Sequence, residues 1–262
     1  MRLLFIGDVV GETGRTALYR ALEQWRTELA PDVVVVNGEN AAGGRGITMA
    51  LAAEFFSHGV HVITLGDHAW DQNDLLLHIE EEPRILRPHN LQPGTPGHGS
   101  LLLPTPQGAV GVLCLQGRTF MAPGPENPFT HGRAEAERLR HAGAQALLVD
   151  MHAETTSEKI AMGYHLEGIA TAVFGTHTHV PTADARILPG GTAFITDVGM
   201  CGSKEGVIGR DREAVLHCQV NSLPGKLSIG GWPAQVCGAV VDVDMSSGRA
   251  TRLEQLNLTL EK

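Results

Sequence analysis

Cysteine is scarce and scattered in this chain: Cys114, Cys201, Cys218 and Cys237 stand far apart, and no two form a C-x-x-C pair. That spacing argues against a disulfide framework or a zinc knuckle and points to reduced thiols. Aromatic residues make up only 5% of the 262 residues, too few for an aromatic binding surface. No lysine or arginine block occurs, and the formal net charge is -9. Both facts argue against electrostatic binding of DNA, which needs a phosphate-tracking basic stripe. An acidic protein can still handle phosphate substrates where bound metals reverse the local sign. Long apolar runs are missing too. The opening MRLLFIG is interrupted by Asp8, so it reads as a first buried strand rather than a signal peptide or membrane span. With no targeting segment visible and no membrane partner implied, the expected location is the cytoplasm. Nucleophile-elbow, dinucleotide and P-loop signatures are also absent, although GDVVGETGR and NAAGGRG are glycine-rich turns.

What remains is a chain long enough for one large domain over 1–262, with 42% hydrophobic residues and 32 glycines for tight strand-to-helix turns. Apolar patterning predicts strands at Leu3 to Ile6, Val33 to Val36, His61 to Leu65, Val110 to Leu115, Ala146 to Asp150 and Ile169 to Phe174. Helices are expected over Thr13 to Leu29, Met49 to His58 and Arg133 to His141, with another before the Ile169 strand. An irregular section spans Pro83 to Gly99, and a long loop spans Gly117 to Thr130. After Thr182 the pattern changes: ARILPGGTAFIT reads as a hairpin turning at Pro189-Gly190-Gly191. Val215 to Val220 and Ala239 to Val243 also read as strands. Strand–helix alternation that ends in hairpins implies a layered α/β fold with mixed sheets, whose strand carboxyl ends line a ligand crevice.

The polar residues fall at those ends. In GTHTHV, His177 and His179 flank one threonine directly after the apolar run AVF. A strand ending in H-x-H throws two imidazoles from one turn toward one point, which suits a transition metal better than packing. Asp8 in IGDVVG, Glu39 and Asn40 in VVNGEN, Asp67 and His68 in LGDHAWD, and His152 in VDMHAE stand at other expected strand ends. Each alone has a plainer reading: Asp8 as a helix cap, Asn40 as a turn residue, His68 and His152 as histidines bonded to backbone. Glu39 is harder to explain, because a carboxylate just beyond a fully apolar strand needs a partner. Together they read as the wall of a metal site. Imidazole plus carboxylate suits Fe, Mn or Zn, and the ligands are too many for one ion and about right for two. Two such ions roughly 3.5–4 Å apart, bridged by a carboxylate and a hydroxide, clamp phosphorus for in-line attack. His58, His61, His78 and His89 are expected to be surface or core residues.

IGDVVG, NGENAAGG, GDHAWD, LQGRTF, HAETTSEK, GTHTHVPTADARILPGGTAFITDVGM and the late GRDRE together cover nearly the whole chain. In these segments the sequence resembles the calcineurin-like metallophosphoesterases, specifically their YmdB-type branch. The superfamily pattern begins D-x-H, where Val10 stands here, and its bridging Asp is replaced by the Glu of the branch's GEN motif, here Glu39. The resemblance implies a four-layer α/β/β/α sandwich with two mixed β-sheets. It implies that Asp8, Glu39 and His179 hold one metal, with Asn40 adjacent, and that Glu39 bridges to a second metal held by Asp67, His152 and His177. His68 would be the acid that protonates the leaving oxygen or would steady the transition state. The implied activity is phosphodiester hydrolysis, with 2′,3′-cyclic nucleotides as characteristic substrates and iron or manganese as the metal pair. A homo-oligomer is compatible with it.

One position departs from the branch: Asp67 stands where Asn is more usual. Two divalent ions bring about four positive charges; Asp8, Glu39 and Asp67 cancel three, and a bridging hydroxide the fourth. The expected compensation is one trivalent ion or nearby arginines, with Arg118 and Arg210 as candidate substrate-binding residues. The reading is therefore a binuclear phosphodiesterase. A phosphomonoesterase or nucleotidase of the same fold, and a regulator that binds metal and nucleotide with little turnover, are the alternatives. A TIM-barrel metal hydrolase would carry H-x-H near its first strand and alternate with helices to its end.

Overall fold

A computed structural model of the chain describes residues 1–121 and 124–262. Fourteen strands form two sheets. In chain order they are β1 (Arg2–Ile6), β2 (Asp8–Val9), β3 (Val33–Asn37), β4 (Val62–Thr64), β5 (Ile85–Leu86), β6 (Ser100–Thr105) and β7 (Gly108–Gln116). There follow β8 (Ala146–His152), β9 (Ala172–Thr176), β10 (Arg186–Ile187), β11 (Ala193–Ile195), β12 (Met200–Ser203), β13 (Ala234–Asp244) and β14 (Arg249–Leu260). The helices are α1 (Gly11–Glu28), α2 (Met49–Ser57), α3 (Asn73–His78), α4 (Pro128–His141), α5 (Thr156–His165) and α6 (Arg212–Asn221).

The first sheet runs β2-β12-β13-β1-β3-β4-β5, with β14 on β13, and the second runs β10-β11-β9-β8-β7-β6. Within them β1, β3, β4 and β5 are mutually parallel, as are β7, β8, β9 and β11, while β13, β14, β10 and β6 add antiparallel pairings. Both sheets are thus mixed, and two open sheets are incompatible with a barrel.

Period-2 alternation sorts the side chains into layers. Val33 and Val35 of β3 face the second sheet, where they meet Val110, Val112, Leu148 and Phe174. Val34 and Val36 face the other way, onto Leu18, Leu22 and Trp25 of α1 and Phe55 of α2. The outer face of the second sheet packs Leu113, Leu147 and Val149 on Ala136, Leu139 and Met162 of α4 and α5. The result is the expected α/β/β/α sandwich. Phe5 of β1 and Phe174 of β9 meet across the inter-sheet layer with ring centroids 5.5 Å apart. Their contact ties the first strand to the one that carries the H-x-H turn.

Four sequence expectations need correction. Val215 to Val220 is helical, not a strand: Asp211 caps α6 by accepting from the Ala214 N–H, and this local signal outweighs the β-branched pattern of a segment that buries only Val215. The strand expected from Ile169 begins at Ala172, because Ile169 and Ala170 close hydrogen-bonded turns onto Leu166. The long loop ends at Asn127, whose side chain accepts from the Phe129 N–H and starts α4 at Pro128; residues 122 and 123 of that loop lie outside the described residues. Asp8 does not cap α1, whose N-cap is Val10 without a side-chain bond. The hairpin at Gly190-Gly191 is as expected, antiparallel β10–β11 with Gly191 at φ +87°. Among the described residues, all four cysteines are free thiols and no helix is long and apolar enough to cross a membrane.

Candidate metal centre

The carboxyl ends of β3, β4, β8 and β9, together with β2, converge on one cleft at the end of the seam between the two sheets. Asp8 lies on β2, and Glu39 and Asn40 lie in the turn after β3. Asp67 and His68 follow β4, His152 ends β8, and His177 and His179 follow β9. All eight sequence-selected residues for metal and acid chemistry are therefore brought together. Gly66 makes the approach close: a Cβ there would fall 2.2 Å from His152 Cδ2 and 2.3 Å from a Glu39 carboxylate oxygen.

Two groups of donors sit side by side. In the first, His152 Nε2 lies 3.0 Å from both Glu39 Oε1 and Asp67 Oδ1, and 3.0 Å from His177 Nδ1. His177 Nδ1 is itself 3.3 Å from Asp67 Oδ1. One atom from each of Glu39, Asp67, His152 and His177 falls within 4.8 Å of the others, a spread one cation can span. In the second, His179 Nε2 lies 3.1 Å from Asn40 Oδ1 and 3.8 Å from Asp8 Oδ1.

The outward nitrogen of each imidazole is committed elsewhere. The Thr176 hydroxyl donates to Asp150 at 2.7 Å, so it accepts from His152 Nδ1 at 2.9 Å. His177 Nε2 lies 3.2 Å from Glu154 Oε2, and His179 Nδ1 donates to the Ile208 carbonyl at 3.0 Å. With those protons outside, His152 Nε2, His177 Nδ1 and His179 Nε2 turn lone pairs inward. Such outer partners fix tautomer and ring orientation in metal sites. Two inward nitrogens 3.0 Å apart beside carboxylates need a proton or a metal cation between them.

The electrostatics say the same. Burial pushes the Asp8 carboxyl up, against the pull of His179 and His152, and its Oδ1 is a buried oxygen without a hydrogen-bond partner. Burial also acts against Glu39 and Asp67, yet the imidazoles hold both carboxyls below their ordinary range. His152 is held well above its ordinary value, burial being overcome by Glu39 and Asp67. Without an ion His152 holds a proton against these carboxylates, and a multivalent cation of the Fe, Mn or Zn type would displace it, the carboxylate and imidazole donors with the orphaned Asp8 oxygen suiting such an ion.

His68 stands at the mouth, its backbone N–H donating to Glu39 Oε2 at 3.3 Å and its ring Nδ1 3.1 Å from Asp71 Oδ2. The surrounding cleft, about 330 Å³, is lined by Asn40, Gly44, His68, Glu154, Ile208 and Arg210 among others. Arg210 faces it, but its guanidinium is already shared among the carbonyls of Gly43, Gly44 and Leu227. Arg118 is exposed after β7 and is not part of the lining. His61 has the plain role of a lone histidine, Nδ1 accepting from the Val34 N–H at 3.1 Å.

Sequence reasoning missed Glu154 and Asp71. Both were within reach of a local signal, two residues after His152 and one helical turn after His68. It also missed the buried Asp150, which accepts from Thr64 at 2.5 Å, Thr176 at 2.7 Å and Asn37 at 3.0 Å and is pushed up to about 6 by burial. Its partners come from three strands, so nothing local pointed to it.

The profile of the family described as YmdB-like protein matches residues 4–256. The chain is 40% identical over 259 residues to the 2′,3′-cyclic-nucleotide 2′-phosphodiesterase of Bacillus subtilis strain 168, spanning 98% of this chain and 96% of that protein. A solved novel phosphatase of Mycoplasma pneumoniae matches with a TM-score of 0.93 at 32% identity, covering 100% of this chain and 94% of the other. The 5′-nucleotidase precursor of Thermus thermophilus shares the fold alone, with a TM-score of 0.58 at 13% identity over 100% of this chain and 54% of that one. With its sequence matched end to end and its two-sheet architecture reproduced, the chain belongs to the YmdB-like protein family.

Proposed function

We propose that this protein is a metal-dependent phosphodiesterase acting on small phosphodiesters of the 2′,3′-cyclic nucleotide class. Phosphoric ester hydrolysis follows from the family together with the carboxylate–imidazole cluster. The observation that carries the finer reading is the pairing of two donor groups, one around His152 Nε2 and His177 Nδ1, the other around His179 Nε2 and Asp8. Asp8, Glu39, Asn40 and His179 would hold one ion, and Asp67, His152 and His177 a second, with Glu39 shared. When bound, such ions supply Lewis acidity at a phosphoryl oxygen and acidify water.

The chain's own residues supply proton transfer and discrimination. Asp71 Oδ2 faces His68 Nδ1 at 3.1 Å and is itself held by Arg45 Nε at 2.6 Å. That chain of contacts orients the imidazole and leaves Nε2, 3.9 Å from Asp67 Oδ2, on the cleft side. A proton held at Nε2 is then available to a leaving alkoxide. Glu154 adds a negative charge to a cleft already lined by Glu39, which disfavours a dianionic monoester more than a monoanionic diester.

The test is elemental analysis of protein purified without chelator or affinity metal, with the same preparation assayed on bis-p-nitrophenyl phosphate and 2′,3′-cyclic AMP. The expected result is near two metals per chain and diester turnover that falls about 10²–10⁴-fold in His68→Ala with metal content intact. Two metals and nucleotide binding without turnover would replace this reading with that of a binding protein. No metal under any loading condition would overturn the site.

A further inference from the structure

Lys159 and Asp197 fall within segments that carry the family resemblance, yet neither touches the cleft. Both are fully buried, and their charged atoms meet at 2.7 Å. A buried ion pair is poorly explained by stability alone, because apolar residues of similar volume often serve as well or better. What distinguishes this one is its other partner. Asp197 Oδ2 also accepts from the Thr178 hydroxyl at 2.6 Å and the Thr178 N–H at 3.2 Å, and Lys159 Nζ donates to the same hydroxyl at 3.3 Å. The remaining oxygen, Oδ1, accepts from the Gly199 N–H at 2.8 Å. The lysine stem passes so close to Gly175 that a Cβ there would lie 2.7 Å from Lys159 Cδ.

Thr178 is the residue between the two histidines. Both of those sit in the left-handed region, His177 at φ 92° and His179 at φ 66°. Non-glycine residues hold such conformations only where the surroundings over-determine them. The His177 N–H is pinned by Asp8 Oδ2 at 3.1 Å, and the next residue is pinned twice by Asp197. Between those anchors the chain turns so that His177 Nδ1 faces His152 and Asp67, while His179 Nε2 faces Asn40 and Asp8. An extended H-x-H would send both rings to the same side of one strand.

We infer that Lys159 and Asp197 form a positioning pair which, through Thr178, divides the two histidines between the two donor groups. The inference rests on the two-metal reading above.

The experiment is Mn2+ titration by calorimetry of metal-free wild type, Thr178→Val, Thr178→Ser, Lys159→Met and the Lys159→Met/Thr178→Val double variant, with the metal-free melting temperature of each. Thr178→Val is expected to weaken Mn2+ binding about 10–100-fold, the usual cost of losing an outer partner in a metal site, while Thr178→Ser stays near wild type. Lys159→Met is expected to lose a similar factor, and the double variant no more than Lys159→Met alone. A pair that serves folding only would lower melting temperatures and leave the Mn2+ affinity of the folded protein unchanged, and that result would overturn the proposal. Should Lys159→Met fail to fold, the Val and Ser variants decide: equal affinities overturn it, and loss in Val alone supports it. Wild type that binds no Mn2+ would instead overturn the two-metal reading.

Discussion

Asp67 shows how one atom changes the balance of a site. An asparagine there would bring a neutral oxygen; the aspartate brings a charge beside those of Asp8 and Glu39. The arginines that could offset it are poorly placed, Arg210 being engaged by three carbonyls and Arg118 lying off the cleft. With two divalent ions and a bridging hydroxide, the site would therefore keep no net positive charge to attract phosphate, unless one ion is trivalent. Asp67→Asn is expected to tighten orthophosphate binding to the metal-loaded protein by about tenfold, the effect of removing one charge near the ligand at an intermediate effective dielectric. Calorimetric titration with inorganic phosphate reads this directly, and an unchanged affinity would show that the charge is compensated. The same residue scale separates a lone histidine from those of the cluster. His61 satisfies one nitrogen with backbone and needs no further partner, whereas His152, His177 and His179 each satisfy the outer nitrogen and still present an inner one.

Among the elements, α4 shows best how a helix is fixed to its sheet by charge. Glu135 is nearly buried, accepts from Arg138 at 2.8 and 2.6 Å, and also accepts from the Ser100 hydroxyl of β6. Burial raises its pKa, but Arg138, Ser100 and His89 together hold it below the ordinary value. A carboxyl depressed in the folded state stabilises above its unfolded pKa, about 4.3, and loses that contribution as pH falls through the folded value. Glu135→Gln is therefore expected to cost about 1–3 kcal/mol at pH 7, with the gap to the parent closing below about pH 4. Urea denaturation of both metal-free proteins at the two pH values checks it; a gap independent of pH would mean that the loss is packing rather than charge. The α6 segment carries Val215 and Val220, yet the Asp211 cap starts it as a helix. Conversely β6 and β14 lack strong patterns and become strands by pairing along β7 and β13.

At the scale of the molecule, the site is the seam between the two sheets. Asp8, Glu39 and Asp67 come from the first, His152, His177 and His179 from the second, and Asn37 and Thr64 of the first reach Asp150 of the second just beneath. Metal bound at that seam would stabilise the arrangement of both sheets. At a free metal concentration about 100-fold above Kd, each occupied site would add about 2.7 kcal/mol to the folded state, which for a chain of this size would raise Tm by roughly 5–10 °C. Scanning calorimetry before and after chelation should show that shift, reversed on adding Mn2+ back; coincident melting curves would mean that the donors hold no ion in the folded protein. We read 1–262 as one domain on the same ground, since the inter-sheet core draws on strands from Arg2 to Leu260.

Much of this was written in the chain. Apolar runs at β1, β3, β4, β7, β8 and β9 specify buried parallel strands, because residues covered on both faces must be apolar. The polar residues that follow them can lie only at one end of such sheets, so the residues that converge on the cleft could be named before any coordinates. Three things were not local enough to read. Which nitrogen of each histidine faces inward depends on Thr176, Glu154 and Ile208, partners set by the packing of separate segments. The division of His177 from His179 depends on left-handed backbone held by Asp8 and Asp197, residues outside the motif itself. The pairing of two donor groups across the seam depends on the sheets stacking face to face, which single-residue patterns limit but only the packed inter-sheet core decides.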